Sequence, residues 1–294
     1  MKNFLFFISK IIVICILLSI SLDSLYSSIY LHSSNRRKVG YAYVSKPKTI
    51  DVIILGSSRA ENHFVTQMFT DIGLETFNFG MQGSRLFESD LILKILLEKK
   101  NVIKNVIVEV DLNLRPQLNT YSEANTLKFM PFLHNSKSIN SQFKVLSDYN
   151  LEYNIPFYRY IKYETKIGFR EVFFSFLNKK SKDLDNGGYS ALTNMAGENL
   201  ESDISTSSPG RNLYYEEIRQ ICKKNNINLI AVMTPMCENT KGLNYFEKVK
   251  KIYPEIHNYE NVVREDKNFF SCGHMNDFGA KIFTARILKD FFKK

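Results

Sequence analysis

The residues with chemistry to offer sit at four places along the chain. "LGSSRAEN" holds Ser57 and Ser58 after an apolar run, "NFGMQGS" holds Gly80 and Gly83, "DLN" holds Asp111 and Asn113, and "SCGHMN" holds Ser271 and His274. Together they supply what acyl transfer needs: a nucleophile, a base within hydrogen-bond reach, and donors aimed at a developing oxyanion. A serine at a strand-to-helix turn is exposed, and its backbone N–H lies at a helix start that favours negative charge. A glycine loop adds a second N–H, an asparagine amide a third, and a late histidine the base. Each stretch alone has an ordinary structural reading: a helix cap, a glycine-rich turn, a satisfied loop histidine. Their order and their shared place at strand ends join them.

The elements that must position these groups follow an alternating rhythm. "TIDVIILG" reads as a strand buried on both faces, and "SRAENHFVTQMFTDIG" as a helix closing on Gly73. "ETFNFG" is a second strand, "SRLFESDLILKILLEKK" a helix ending in lysines, and "NVIKNVIVEVDLN" a third strand. "NNINLIAVMTP" is a fourth strand after the helix "NLYYEEIRQICKK", and "NFF" a short fifth. "DFGAKIFTARILKDFFKK" is a closing helix capped by Asn276 or Asp277. Such alternation predicts a flavodoxin-like three-layer α/β/α fold around a parallel sheet of about five strands. From about 115 to 207 the rhythm breaks into a mainly helical insertion rich in tyrosine, asparagine and serine. It leaves the carboxyl edge of the third strand, where open parallel sheets bind ligands. A lid, a substrate platform and a purely structural insert are all consistent with it.

The N-terminus is apolar from Phe4 to Leu22, broken only by Lys10. A span needs ~20 apolar residues, and a lysine near one end can snorkel to the interface. No Ala-x-Ala-like cleavage site follows, so residues 1–28 read as an uncleaved signal anchor rather than a cleaved signal peptide. "NRRK" beyond the span opposes the positive-inside rule, yet anchor and signal peptide alike export the residues that follow. Residues 29–48 read as a polar tether, and 49–294 as the main domain carrying the insertion. The formal charge is +9, but its basic residues are scattered among acidic ones, with no basic stripe interleaved with aromatics. This argues against nucleic acid and suits an anionic lipid or glycan surface. The cysteines Cys15, Cys222, Cys237 and Cys272 lack metal-site spacing. Cys237 and Cys272 both fall just beyond strand ends, and an exported domain would allow them to pair.

At these residues the chain resembles the SGNH, or GDSL-type, hydrolases and acyltransferases. Gly56, Ser57 and Ser58 stand where that family has Gly-Asp-Ser, so the resemblance implies Ser58 as nucleophile. "NFGMQG" matches the second block through Asn78 and Gly83, and "DLN" the third through Asn113, without that block's glycine. Ser58, Gly83 and Asn113 would form the oxyanion hole. The last block, Asp-x-x-His before a closing helix, reads Ser271, Cys272, Gly273, His274. His274 would be the base. Its expected aspartate is replaced by Ser271, so the imidazole orienter is Ser271 itself, a backbone carbonyl, or a substitute carboxylate such as Asp266 or Asp111.

The resemblance covers residues 50–113 and 225–294 and implies a serine esterase or O-acyltransferase needing no metal or cofactor. Tethered to a membrane, it would act on an acyl group, acetyl foremost, of an envelope or extracellular glycan, on the periplasmic side or at the cell surface. The competing expectation is a catalytically impaired scaffold that binds glycan or assists a membrane acyltransferase or export complex. A nucleotide-binding reading is weaker, because "LGSSRAEN" lacks the glycines and lysine of a phosphate loop.

Overall fold

A computed structural model describes residues 1–193 and 199–292. In chain order the strands are β1 (Thr49–Leu55), β2 (Thr76–Asn78), β3 (Val102–Glu109), β4 (Glu201–Asp203), β5 (Asn228–Met233), β6 (Asn239–Lys241), β7 (His257–Asn258), β8 (Phe269–Ser271) and β9 (His274–Met275). Five of them form one parallel sheet in the order β2-β1-β3-β5-β7. β4 and β6 make a separate parallel pair, and β8 and β9 an antiparallel hairpin.

The expected α/β architecture is present, and burial explains why the central strands read as continuous apolar runs. Ile53, Ile54 and Leu55 of β1 and Val106, Ile107 and Val108 of β3 are fully buried. Both faces are covered, so alternate residues have no polar side to meet. On one face Val52, Ile54, Ile107 and Val232 pack with Phe64, Phe69, Phe283 and Ile287. The closing helix Asp277–Phe291 supplies the last two, and Asn276 caps it by accepting from the N–H groups of Phe278 and Gly279. The helix Leu86–Glu98 packs against β3 and against the helix Leu213–Lys224.

Three details differ from the sequence reading. The helix expected over 58–73 is broken into Ser58–His63 and Thr66–Thr70, with Phe64 and Val65 extended between them. There the Val65 N–H donates to Thr284 Oγ1, a tertiary bond in place of a helical one. "NFF" is not the fifth sheet strand. It forms β8 of the hairpin, while the sheet edge is the two-residue β7, too short to show any periodicity.

The third difference is organisational. The chain divides into two compact units, Met1–Ser45 with Thr126–Ser181, and Lys46–Asn125 with Lys182–Lys294. The expected insertion is therefore split: 126–181 groups with the N-terminus, and its other described residues stay with the sheet. Residues 194–198 of that insertion lie outside the described residues. The expected tether, 29–48, contains the helix Lys38–Val44, with Val39, Ala42 and Tyr43 buried.

In the N-terminal unit the helix Lys2–His32 is long and apolar enough to cross a membrane. Its last turns are the part that packs. The Tyr30 hydroxyl donates to the Ile167 carbonyl, and Arg159 pairs with Asp23.

Candidate active site

In the sheet-containing unit, the strand order reverses at β1, with β2 added on one side and β3 on the other. Ligands of open α/β sheets bind outside the carboxyl ends at such a switch point. The loops after β1 and β3 carry Ser58 and Asn113.

The turn after β1 is forced into shape by close contacts. Gly56 has φ +142°, and a Cβ there would lie 2.8 Å from Glu109 Oε2 and 2.9 Å from the Ala60 Cβ. Ser57 is more than a spacer. Its N–H and hydroxyl both donate to Glu109 Oε2, at 2.8 and 2.6 Å, and its Oγ accepts from the Arg59 N–H as the helix cap. Ser58 then begins the helix Ser58–His63. The second loop docks against this helix. Asn78 donates to the Ala60 carbonyl and accepts from the Gly80 N–H. A side chain on Gly80 would meet the Glu61 nitrogen at 2.5 Å, so only glycine allows the approach. Gly83, φ +73°, follows in the same loop, and Asn113 lies in the short 3-10 turn Asp111–Leu114. Among the described residues the Gly83 N–H and the Asn113 side-chain amide have no hydrogen-bond partner.

His274 opens β9 and meets the serine across the crevice: Ser58 Oγ and His274 Nε2 are 2.8 Å apart. The other imidazole nitrogen, Nδ1, lies 3.4 Å from Ser271 Oγ, a long contact. Of the three side chains considered as orienters, Ser271 alone is there. Asp266 accepts from the Leu200 N–H, and Asp111 is committed to Arg59 and Thr234. The hairpin is held from elsewhere. A disulfide joins Cys237, beyond β5, to Cys272, two residues before the histidine. His63 is fully buried, and its Nε2 accepts from the Met275 N–H. That acceptor role leaves the proton on Nδ1, which faces Thr234 Oγ1 at 3.1 Å; the threonine in turn donates to Asp111 Oδ2. His63 is thus structural, as its place a turn into the helix suggests.

An arginine at a helix start is ordinarily solvated, but the Arg59 side chain is buried. Its Nε donates to the Gly273 carbonyl at 2.7 Å and its Nη2 to the Pro235 carbonyl at 2.9 Å. Nη1 lies 2.6 Å from Asp111 Oδ2. Beneath it lies a second acid that sequence reasoning passed over, Glu109. Burial, then the neighbouring Asp111, raise the Glu109 carboxyl well above the usual range. Burial raises Asp111 as well, opposed by Arg59 and by the two Thr234 donors. The Arg59 ion pair falls on Asp111, so Asp111 is the member of the pair whose charged form is the better supported. The signal was present in "VIVEVD", where two carboxylates end an apolar strand that has no solvated face.

Burial, then the positive Arg59, lower the His274 pKa from 6.5 to about 4. The imidazole is therefore neutral, able to take a proton, throughout the neutral range. A rate that needs neutral His274 is expected to fall only as pH drops through about 4, not through 6.5. In Ser271→Asp a carboxylate beside Nδ1 favours the imidazolium, so this acid limb is expected to move up toward neutrality. The pH profile of kcat/KM for an ester substrate, measured for both proteins, checks the position and the direction.

Among the described residues no group of three or more His, Cys, Asp or Glu side chains is placed to hold a metal ion. Compared with models of known protein families, the chain matches none, and no curated protein matches it significantly either.

Proposed function

We propose that this chain is a membrane-anchored SGNH-type serine esterase or O-acyltransferase acting on an acyl group, acetyl foremost, of an envelope or extracellular glycan. The observation that carries the reading is the 2.8 Å contact between Ser58 Oγ and His274 Nε2 at the carboxyl edge of a parallel sheet. Ser58 attacks the acyl carbonyl while its proton passes to His274 Nε2. A C–O bond to the enzyme forms, and the oxyanion takes the N–H groups of Ser58 and Gly83 and the Asn113 amide. Each such donor is worth about 3 kcal/mol of barrier. Collapse breaks the bond to the sugar oxygen, which recovers the proton from His274. Water or a second sugar hydroxyl then attacks the acyl-enzyme by the same route in reverse.

Two observations support export of the sheet-containing unit. The helix Lys2–His32 has the length and composition of a membrane span, and the Cys237–Cys272 disulfide suits an oxidising compartment. The competing reading is a non-catalytic, glycan-binding scaffold serving a membrane acyltransferase or export complex. It is favoured by the hydroxyl, in place of a carboxylate, at His274 Nδ1. A serine-directed fluorophosphonate separates the two. Folded wild-type protein is expected to be labelled, with the adduct mapped to the peptide containing Ser58. Folded protein that stays unlabelled assigns the chain to the scaffold reading.

A further inference from the structure

The N-terminal unit turns its surface inside out in one place. Between Tyr149 and Ile161 the charged residues are Glu152 and Arg159, and both are almost fully buried. Glu152 is paired with Lys162 and Arg159 with Asp23. Its exposed apolar residues are Leu151, Tyr153, Ile155 and Ile161, the last 65% exposed, and the polar residues exposed beside them, Asn150 and Asn154, are uncharged. A surface facing water has the opposite arrangement.

The position of this segment along the N-terminal helix says what covers it. Asp23, which ends the apolar run, accepts from the Phe157 N–H and pairs with Arg159. The rings of Phe157 and Tyr160 lie against Tyr26, and Tyr160 also stacks on Tyr30. Tyrosines at the end of a span mark the level where hydrocarbon meets head groups. Ile155 and Pro156 lie on the other side of that level. They share an apolar groove of about 270 Å³ with Ile11, Ile12, Cys15 and Ile16 of the helix. At a rise of 1.5 Å per residue, Cys15 is about 12 Å deeper along the helix than Asp23.

We propose that the turn Leu151–Ile161 dips into the lipid bilayer beside the anchor helix, so that the protein is held by a span and an inserted hairpin together. Lipid is the occupant because the exposed face of the turn is mostly apolar and uncharged, continues the surface of the anchor and keeps its own charges paired inward. The unit is also basic, with nine lysines and arginines against four acidic residues over 126–181, which suits anionic head groups above the inserted turn. Phe169, Phe173 and Phe176 form an exposed stripe on the helix Phe169–Phe176. Phe176 lies level with Ile29 and His32, where aromatic rings collect at a membrane interface. The proposal rests on the anchor helix lying in the bilayer and is independent of the chemistry at Ser58.

The chain contains no tryptophan, so a single introduced one reports alone. The full chain is reconstituted in vesicles of phosphatidylethanolamine and phosphatidylglycerol, with or without acyl chains brominated near mid-depth. Ile16→Trp on the anchor serves as reference, and Ile155→Trp and Leu151→Trp report on the turn. All three are expected to lose about half their emission or more in brominated lipid and to resist aqueous iodide. Iodide quenching of Trp at 155 and 151 without bromine quenching overturns the inserted turn while leaving the anchor intact. Protection from both quenchers overturns it too, because a protein surface then covers the turn. If Ile16→Trp escapes the bromine, the anchor reading fails and the proposal with it.

Discussion

Replacing His274 by alanine is expected to lower the rate of ester hydrolysis by about 10²–10⁴-fold, the usual worth of a positioned general base. Replacing Ser58 by alanine is expected to remove at least as much. The measurement is the initial rate on a p-nitrophenyl acetate probe and on an O-acetylated polysaccharide, alongside thermal unfolding of each variant. His274 suits this test because its loop does not depend on it. The hairpin is held by the Cys237–Cys272 disulfide, by Arg59 on the Gly273 carbonyl, and by His63 on the Met275 N–H. A loss of rate with little change in melting temperature therefore reads as lost chemistry. The two variants should also not add. If His274 acts only by taking the Ser58 proton, the double variant is no slower than Ser58→Ala. Rates within about threefold of wild type in both single variants would refute the dyad, since the smallest effect expected of a base is tenfold larger or more.

The sheet and the paired side chains Ser58 and His274 were legible because they leave local marks. β1 and β3 carry long apolar runs, and Ser58 and His274 each sit at an element boundary. What was not legible is what only the tertiary structure brings together. Nothing in "SSRA" shows that Arg59 turns inward, because its partners are the carbonyls of Pro235 and Gly273, far along the chain. Nor does the sequence show that Ser57 binds Glu109, on the neighbouring strand, through both its N–H and its hydroxyl. Asp111 and Asp266 were reasonable substitutes for a missing carboxylate by sequence position. Each already has another donor, and only geometry could remove them. That the N-terminal helix is long and apolar enough to cross a membrane was legible by composition. That its last turns pack in one unit with 126–181 was not, because the segment breaks into turns too short for a periodic signal.

Replacing Arg59 by methionine is expected to be the most damaging substitution for stability among the residues around the site. The guanidinium lies between Asp111, in the turn just after β3, the loop after β5, and the Gly273 carbonyl beside His274. Methionine keeps the bulk and removes these contacts together with the guanidinium's hydrogen bond to Met236 Sδ. Asp111 is left buried with its charge unpaired, a change that costs about 3–5 kcal/mol. For a domain of this size the melting temperature should fall by about 10 °C or more. A structural clamp alone would predict only that fall. The charge of Arg59 also helps to depress the His274 pKa, second to burial, and losing it has a separate signature. In Arg59→Met the acid limb of the residual activity should rise from about 4 part of the way toward 6.5, because burial remains. Arg59→Lys separates the two effects. Its ammonium can stay near Asp111 and hold most of the stability, but a single flexible head cannot also grip both carbonyls. Lysine should therefore keep the low acid limb while losing rate. A methionine variant that melts like wild type, or whose acid limb does not move, would show that Arg59 neither clamps these loops nor tunes the base.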